Sequence, residues 1–264
     1  MERPRVVIGI PHLGDLPGYF VDSLINVAST PPGAYSMVRI ERMPVDQARN
    51  AITRTFLATP DATHLFFMDA DMVFPAGALA RLIEDDKDVV GGTYFARTET
   101  PIPHSYEFVR VDEDGRTWYR SLAREYIAWV KAHPEWKDVT SAHVYAPSAD
   151  NLVRCDAMAT GCLLIKREVF EAIKEPWFDF WPEHYGGEDF RFCERARNAG
   201  FEVWADFGVQ CAHEVQQMFT GTADFVETYH IGGPDEIDPN QPILVEVGPH
   251  GRKVAGNRPA EVIA

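Results

Sequence analysis

Between Val6 and Tyr94 the chain alternates strand and helix, and this rhythm constrains its fold more than any other feature. Val6-Val7-Ile8-Gly9-Ile10 reads as a buried strand stopped by Pro11. A loop from His12 to Gly18 leads into a helical pattern from Tyr19 to about Ala28, broken by Pro31-Pro32-Gly33. Tyr35 to Ile40 is a second strand. Val45 to Leu57 is a helix with Ala48, Ile52 and Phe56 on one face. Thr63 to Met68 is apolar enough for the middle of a sheet. Pro75 to Glu84 reads as a short helix with Pro75 in its first turn, and Val89 to Tyr94 as a fourth strand. Such alternation implies a parallel sheet with helices on both faces, whose ligands bind beyond the carboxyl ends of the strands.

The rhythm then changes. Residues 97–150 carry a hairpin around Asp112-Glu113-Asp114-Gly115 and an aromatic-rich helical stretch from Ser121 to His133, expected as an insertion that shapes an acceptor site. Regular structure resumes with a strand from Ala159 to Ile165 and a short helix from Arg167 to Ile173. Gly186-Gly187-Glu188-Asp189 opens a helix running to about Ala199, stopped by Gly200. Two short strands follow, Glu202 to Ala205 and Val209 to Ala212. The fold class expected is α/β: a mixed, mainly parallel Rossmann-like sheet flanked by helices over residues 1–213. An irregular tail over 214–264, rich in Gly, Pro and acids, is expected to pack over the active site.

Composition excludes several classes. The net charge of −15 gains little from counterion release, which argues against a long nucleic-acid partner. Arg191, Arg195 and Arg197 are read as a solvated helix face. None of the four cysteines forms a C-x-x-C pair, so reduced thiols in a cytoplasmic protein are expected. The apolar run before Pro11 is too short for a signal-peptide core, and no run approaches the roughly 18 residues of a membrane span.

The chemistry concentrates in two acid pairs. After His64-Leu65-Phe66-Phe67-Met68 come Asp69 and Asp71, spaced by one residue at the carboxyl end of a buried strand. In extended backbone residues i and i+2 share a face, so the two carboxylates repel unless a hard divalent cation such as Mn2+ or Mg2+ neutralises them. Such an ion can help a diphosphate leave. Asp69-Ala70-Asp71-Met72-Val73 also fits the nucleophile motif of haloacid-dehalogenase-like phosphatases. Those carry it on the first core strand, however, whereas here two strand-helix units precede it. Glu188 and Asp189 sit at a helix start, where the helix dipole favours an ionised base. His213 follows, one of nine histidines, as a further metal ligand; His12, His64, His104, His184 and His230 are read as structural or solvated.

Taken in order, the Asp-x-Asp strand end, the Gly-Gly-Glu-Asp helix start and the downstream His213 resemble the metal-dependent glycosyltransferases of the GT-A fold. Val45-Asp46-Gln47-Ala48-Arg49-Asn50, His64 to Asp69, Gly161-Cys162-Leu163-Leu164-Ile165 and Trp177-Phe178 resemble the compact bacterial and bacteriophage members. The resemblance spans about residues 5 to 213. It implies that Asp71 and His213 bind the metal and that Asp69 contacts the metal or the donor ribose. Pro11, Glu41, Arg49 and Gly161 would line the nucleotide-sugar site, for a UDP- or GDP-sugar. Asp189 would be the base that deprotonates an acceptor hydroxyl, which implies inversion, while several retaining enzymes share the Asp-x-Asp and His features; Glu188 would touch the acceptor. The Gly-Gly-Glu-Asp run is also similar to the acceptor motif of β-1,4-galactosyltransferases, which have Trp where this chain has Tyr185. The acceptor stays open among a glycan, a lipid-linked sugar, a protein and a modified nucleobase; DNA is the one the acidic charge least favours. A nucleotidyltransferase would need a basic Gly-rich loop after the first strand, and residues 11–18 contain no Lys or Arg. A non-catalytic sugar-binding module would not need a metal pair and a second acid pair together.

Overall fold

The computed structural model describes residues 4–97, 101–113, 115–138, 142–180, 187–215, 218–231, 244–248 and 251–255. The first half runs β1 (Val6–His12), α1 (Gly18–Ser29), β2 (Ala34–Glu41), α2 (Val45–Ala58), β3 (His64–Met68), β4 (Met72–Val73), α3 (Ala78–Glu84) and β5 (Val89–Thr93). There follow β6 (Ser105–Val111), β7 (Thr117–Ser121), α4 (Ala123–Ala132), β8 (His143–Val144), β9 (Leu152–Cys155), β10 (Ala157–Met158), β11 (Cys162–Lys166) and α5 (Arg167–Ala172). The chain continues with α6 (Glu188–Asn198), β12 (Val203–Gln210), β13 (Ala212–Val215), β14 (Met218–Thr220), α7 (Thr222–Thr228), β15 (Leu244–Gly248) and β16 (Gly251–Ala255).

The central sheet has the order β2-β1-β3-β11-β5-β12-β8, with β9 also on β12. β2, β1, β3, β5 and β12 run one way, and β11, β8 and β9 run against them. This is the expected α/β class, a mixed and mainly parallel sheet flanked by helices. Period-2 alternation sorts the strands onto two faces. Leu65 and Phe67 join Ile52 and Phe56 of α2, Phe170 of α5 and Phe192 of α6 in one core. Phe66 and Met68 join Phe20 and Val27 of α1 and Leu79 and Leu82 of α3 in the other. In α2 the buried stripe repeats at i and i+4, so Arg49 and Thr53 travel inward with Ala48 and Ile52. Gly200 ends α6 with φ +95, a conformation that L side chains avoid.

Four local expectations differ from the structure. Pro11 continues β1, which reaches His12; β1 pairs with β3 only as far as Gly9, so the proline lies where that side of the strand has no partner. Pro75 precedes α3 and accepts a bond from Ala78 N at 3.0 Å; the helix starts at Ala78. The two short strands expected over 202–212 are one strand, β12, followed by β13. Asp206 and Gly208 look like a break, but Asp206 is fully buried in mid-strand, held by Arg81 Nε at 2.9 Å and Gly208 N at 2.7 Å. The segment after His213 is not irregular throughout. β13, β14 and β4 form a small sheet, α7 follows, and β15 pairs with β7 in the five-stranded order β10-β6-β7-β15-β16. The hairpin expected around residues 112–115 is the β6–β7 connection. Among the described residues no helix is long and apolar enough to cross a membrane.

Candidate active site

β3 stops at Met68, and its edge is set by β11 beside it. Asp69 N donates to Gly161 O at 3.0 Å, and Gly161 N donates to Tyr94 Oη at 2.8 Å. A Cβ on Gly161 would stand 2.6 Å from that oxygen and 2.7 Å from Met72 Sδ. Gly161 therefore serves close packing that fixes the backbone of Asp69. Ala70 and Asp71 form a turn before β4. The extended geometry assumed for Asp69 and Asp71 ends at Met68, so their carboxylates part company.

Asp69 faces α2. Arg49 Nη2 lies 3.1 Å from each oxygen of its carboxylate, and Arg49 Nε donates to Glu188 Oε1 at 3.4 Å. Arg49 is 3% exposed and lies over the ring of Phe67, 5.3 Å from its centroid. Burial works against its charge, but Asp69, Glu188 and Asp189 outweigh that and push the guanidinium pKa above its usual value. One buried cation thus ties the strand-end acid to the helix-start acids. Asp189 is also buried, at the N-terminus of α6, and its Oδ1 accepts from Phe190 N at 2.9 Å. Tyr185 and Gly186 of the same motif lie outside the described residues.

Asp71 faces a different set. Its Oδ2 accepts from Arg97 Nη2 and lies 3.7 Å from His213 Nε2. Strand pairing brings His213 there: it sits opposite Met72 where β13 meets β4, and Glu214 N donates to Asp71 O at 2.9 Å. His213 Nδ1 is 2.8 Å from Phe95 O, an atom that only accepts, so Nδ1 carries a proton and Nε2 is the nitrogen turned toward Asp71. Arg97 Nε donates to that Nε2 at 3.0 Å. Burial opposes ionisation of Asp71, yet His213 and Arg97 hold its carboxyl below the usual range. Tyr19 of α1 donates to Glu214, and burial, followed by that bond, raises its phenol pKa.

A divalent ion fits two of the three expected ligands. Asp71 Oδ1 is buried and has no hydrogen-bond partner among the described residues, and with Nδ1 of His213 held by Phe95 O its Nε2 is the nitrogen placed for an ion. Asp69 is not with them, its carboxylate being on Arg49. No group of three His, Cys, Asp or Glu side chains converges as a metal seat among the described residues. Pro11 and Glu41 stand together at the carboxyl ends of adjacent strands, where Pro11 pairs with Ile40 and His12 with Glu41. Glu41 pairs with Arg42 at 2.9 Å. The arginine run of α6 is tied into the fold by Asp179, Glu194 and Asp156. Sequence reasoning missed Tyr19, Arg97 and Glu214, which lie in unremarkable helix, loop and strand contexts and gain meaning only beside Asp71.

No family model and no curated protein matches the sequence. Among solved structures, A197 from STIV is similar over 98% of this chain and 98% of that one, with TM-score 0.53 and 17% identity. GalNAc-T7, solved with UDP, GalNAc and Mn2+, is similar over 86% of this chain and 48% of that one, with TM-score 0.49 and 13% identity. The first likeness shows a shared fold and says nothing of chemistry. The second is too weak to add to it.

Proposed function

We propose that the chain is a metal-dependent glycosyltransferase of the GT-A type, moving a sugar from a UDP- or GDP-linked donor to an acceptor hydroxyl. The observation that carries this reading is the Arg49 bridge. It supports the reading by joining the Asp69 strand end to the Glu188-Asp189 helix start at the carboxyl edge of the sheet. Asp71 and His213 would hold Mn2+ or Mg2+, whose charge would help the nucleoside diphosphate leave. Pro11 and Glu41 would receive the base and ribose, with Asp69 against the ribose and Gly161 keeping the strand end in register. Asp189, its charge favoured by the helix N-terminus, would take the proton of the acceptor hydroxyl, with Glu188 contacting the acceptor. Direct attack assisted by one carboxylate base inverts the anomeric centre. The phosphatase reading is disfavoured because both oxygens of Asp69 face Arg49 rather than standing free to attack phosphorus.

The test is nucleoside diphosphate release from a panel of nucleotide sugars with Mn2+. Asp71→Ala should abolish it. Asp189→Asn should lower kcat by about 10²–10⁴-fold while leaving UDP binding intact. Release by no donor, together with nucleotide-sugar binding that Asp71→Ala leaves unchanged, would point instead to a sugar-binding module.

A further inference from the structure

We propose that Arg97 is a resident cation of this site, whose guanidinium holds the place between Asp71 and His213 and must be displaced for a divalent ion to bind. The inference rests on the metal-dependent reading above. Arg97 donates to His213 Nε2, the nitrogen that the imidazole would offer an ion, and to Asp71 Oδ2, so its guanidinium spans the two groups while Asp71 Oδ1 stays open. With Nδ1 committed to Phe95 O, the imidazole has one lone pair, which can serve Arg97 or a metal but not both. A guanidinium cannot deprotonate to make room, so it and a dication compete for one place.

The two sides of this contact differ in freedom. The ligands are held in place: Asp71 by the backbone bond from Glu214, and His213 by strand pairing and by the rings of Tyr94 and His104, with centroids at 5.4 and 6.0 Å. Arg97 has a side chain 46% exposed and can swing outward without opening the core. A site of this kind binds metal poorly by itself. A nucleoside diphosphate, bringing negative charge for both cations, would favour metal entry and give the displaced guanidinium a new anionic partner. Metal and nucleotide should therefore bind with positive coupling.

The experiment titrates Mn2+ alone, followed by loss of the free-ion EPR signal, with and without UDP. Wild type should bind Mn2+ weakly alone and more tightly with UDP. Arg97→Ala and the uncharged, similarly sized Arg97→Gln should bind Mn2+ alone on the order of tenfold tighter, because like charges a few ångströms apart repel strongly. In both variants the gain from UDP should shrink. Asp71→Asn should remove binding in every background, which places the ion. Equal Mn2+ affinity in wild type and both Arg97 variants, with Asp71→Asn still abolishing it, overturns the displacement and leaves the metal-dependent reading standing. No Mn2+ binding by any of them, with or without UDP, overturns both. Arg97→Gln carries the comparison should Arg97→Ala fail to fold.

Discussion

Arg49 bears on stability and, under the proposed function, on chemistry, because the same guanidinium bonds Asp69 and Glu188 in a buried setting. Removing one partner of a buried ion pair leaves charges that the interior cannot solvate. Arg49→Ala should therefore cost about 3–5 kcal/mol of stability in urea denaturation, on top of its effect on turnover. Arg49→Lys keeps the charge but lacks the fork that reaches Asp69 and Glu188 together. It should recover part of the stability and little of the activity. A variant with full stability and full turnover would refute the bridge as the link between the two acid motifs. Asn50, the next residue, is also tied into the core. Its Nδ2 donates to Phe178 O at 2.6 Å, and its Oδ1 accepts from Trp177 N at 3.0 Å and Phe178 N at 3.1 Å.

At the scale of elements, those bonds explain how α6 is placed. Helix α2 grips the 177–178 segment through Asn50, and Trp177 Nε1 donates to Phe170 O and Ile173 O at the end of α5. Phe178 then stacks on Phe192 of α6 with ring centroids 4.8 Å apart. One helix thus carries Arg49 to the acids and Asn50 to the segment that orients them. Asn50→Ala strands three buried backbone groups and should cost about 2–4 kcal/mol. Hydrogen exchange should quicken at Trp177 and Phe178 before it quickens in β3. Uniform acceleration across both would mean that Asn50 serves global stability alone.

For the whole molecule, two groups far from the acid motifs set opposing pH responses. Asp85 is pushed up to about 7 by burial and by Asp206 beside it. Folding then favours its protonated form, so its contribution is full below about pH 4 and is lost as pH rises to about 7. His64 is lowered to about 4 by burial and by Lys166. The fold favours its neutral form, so its contribution is present above about pH 6.5 and is lost as pH falls toward 4. The two slopes oppose each other across the same window. Asp85→Asn should leave a protein whose stability rises with pH between about 4 and 6.5, and His64→Gln one whose stability falls. Urea midpoints at several pH values separate the two, and slopes of the same sign in both variants would contradict the assignment.

The alternating strands and helices of residues 6–94 were legible because each apolar run had one admissible partner layer: β3 is buried on both faces, and α2 shows its stripe at i and i+4. The acid pairs and His213 were legible for the opposite reason, being charges attached to segments otherwise committed to the interior. Local pattern could not reveal that Asp206 lies inside a strand, since the cation that makes its burial tolerable, Arg81, sits on another element. Nor could it reveal that Asp69 and Asp71 diverge, because a turn begins where β11 and Gly161 end β3. The partners of these residues are equally a matter of tertiary structure. Arg49 meets Glu188, and Arg97 meets Asp71 and His213, across long stretches of chain that only the packed sheet closes. Periodicity and charge determined which residues are candidates for chemistry; the pairing of distant strands decided which of them face each other.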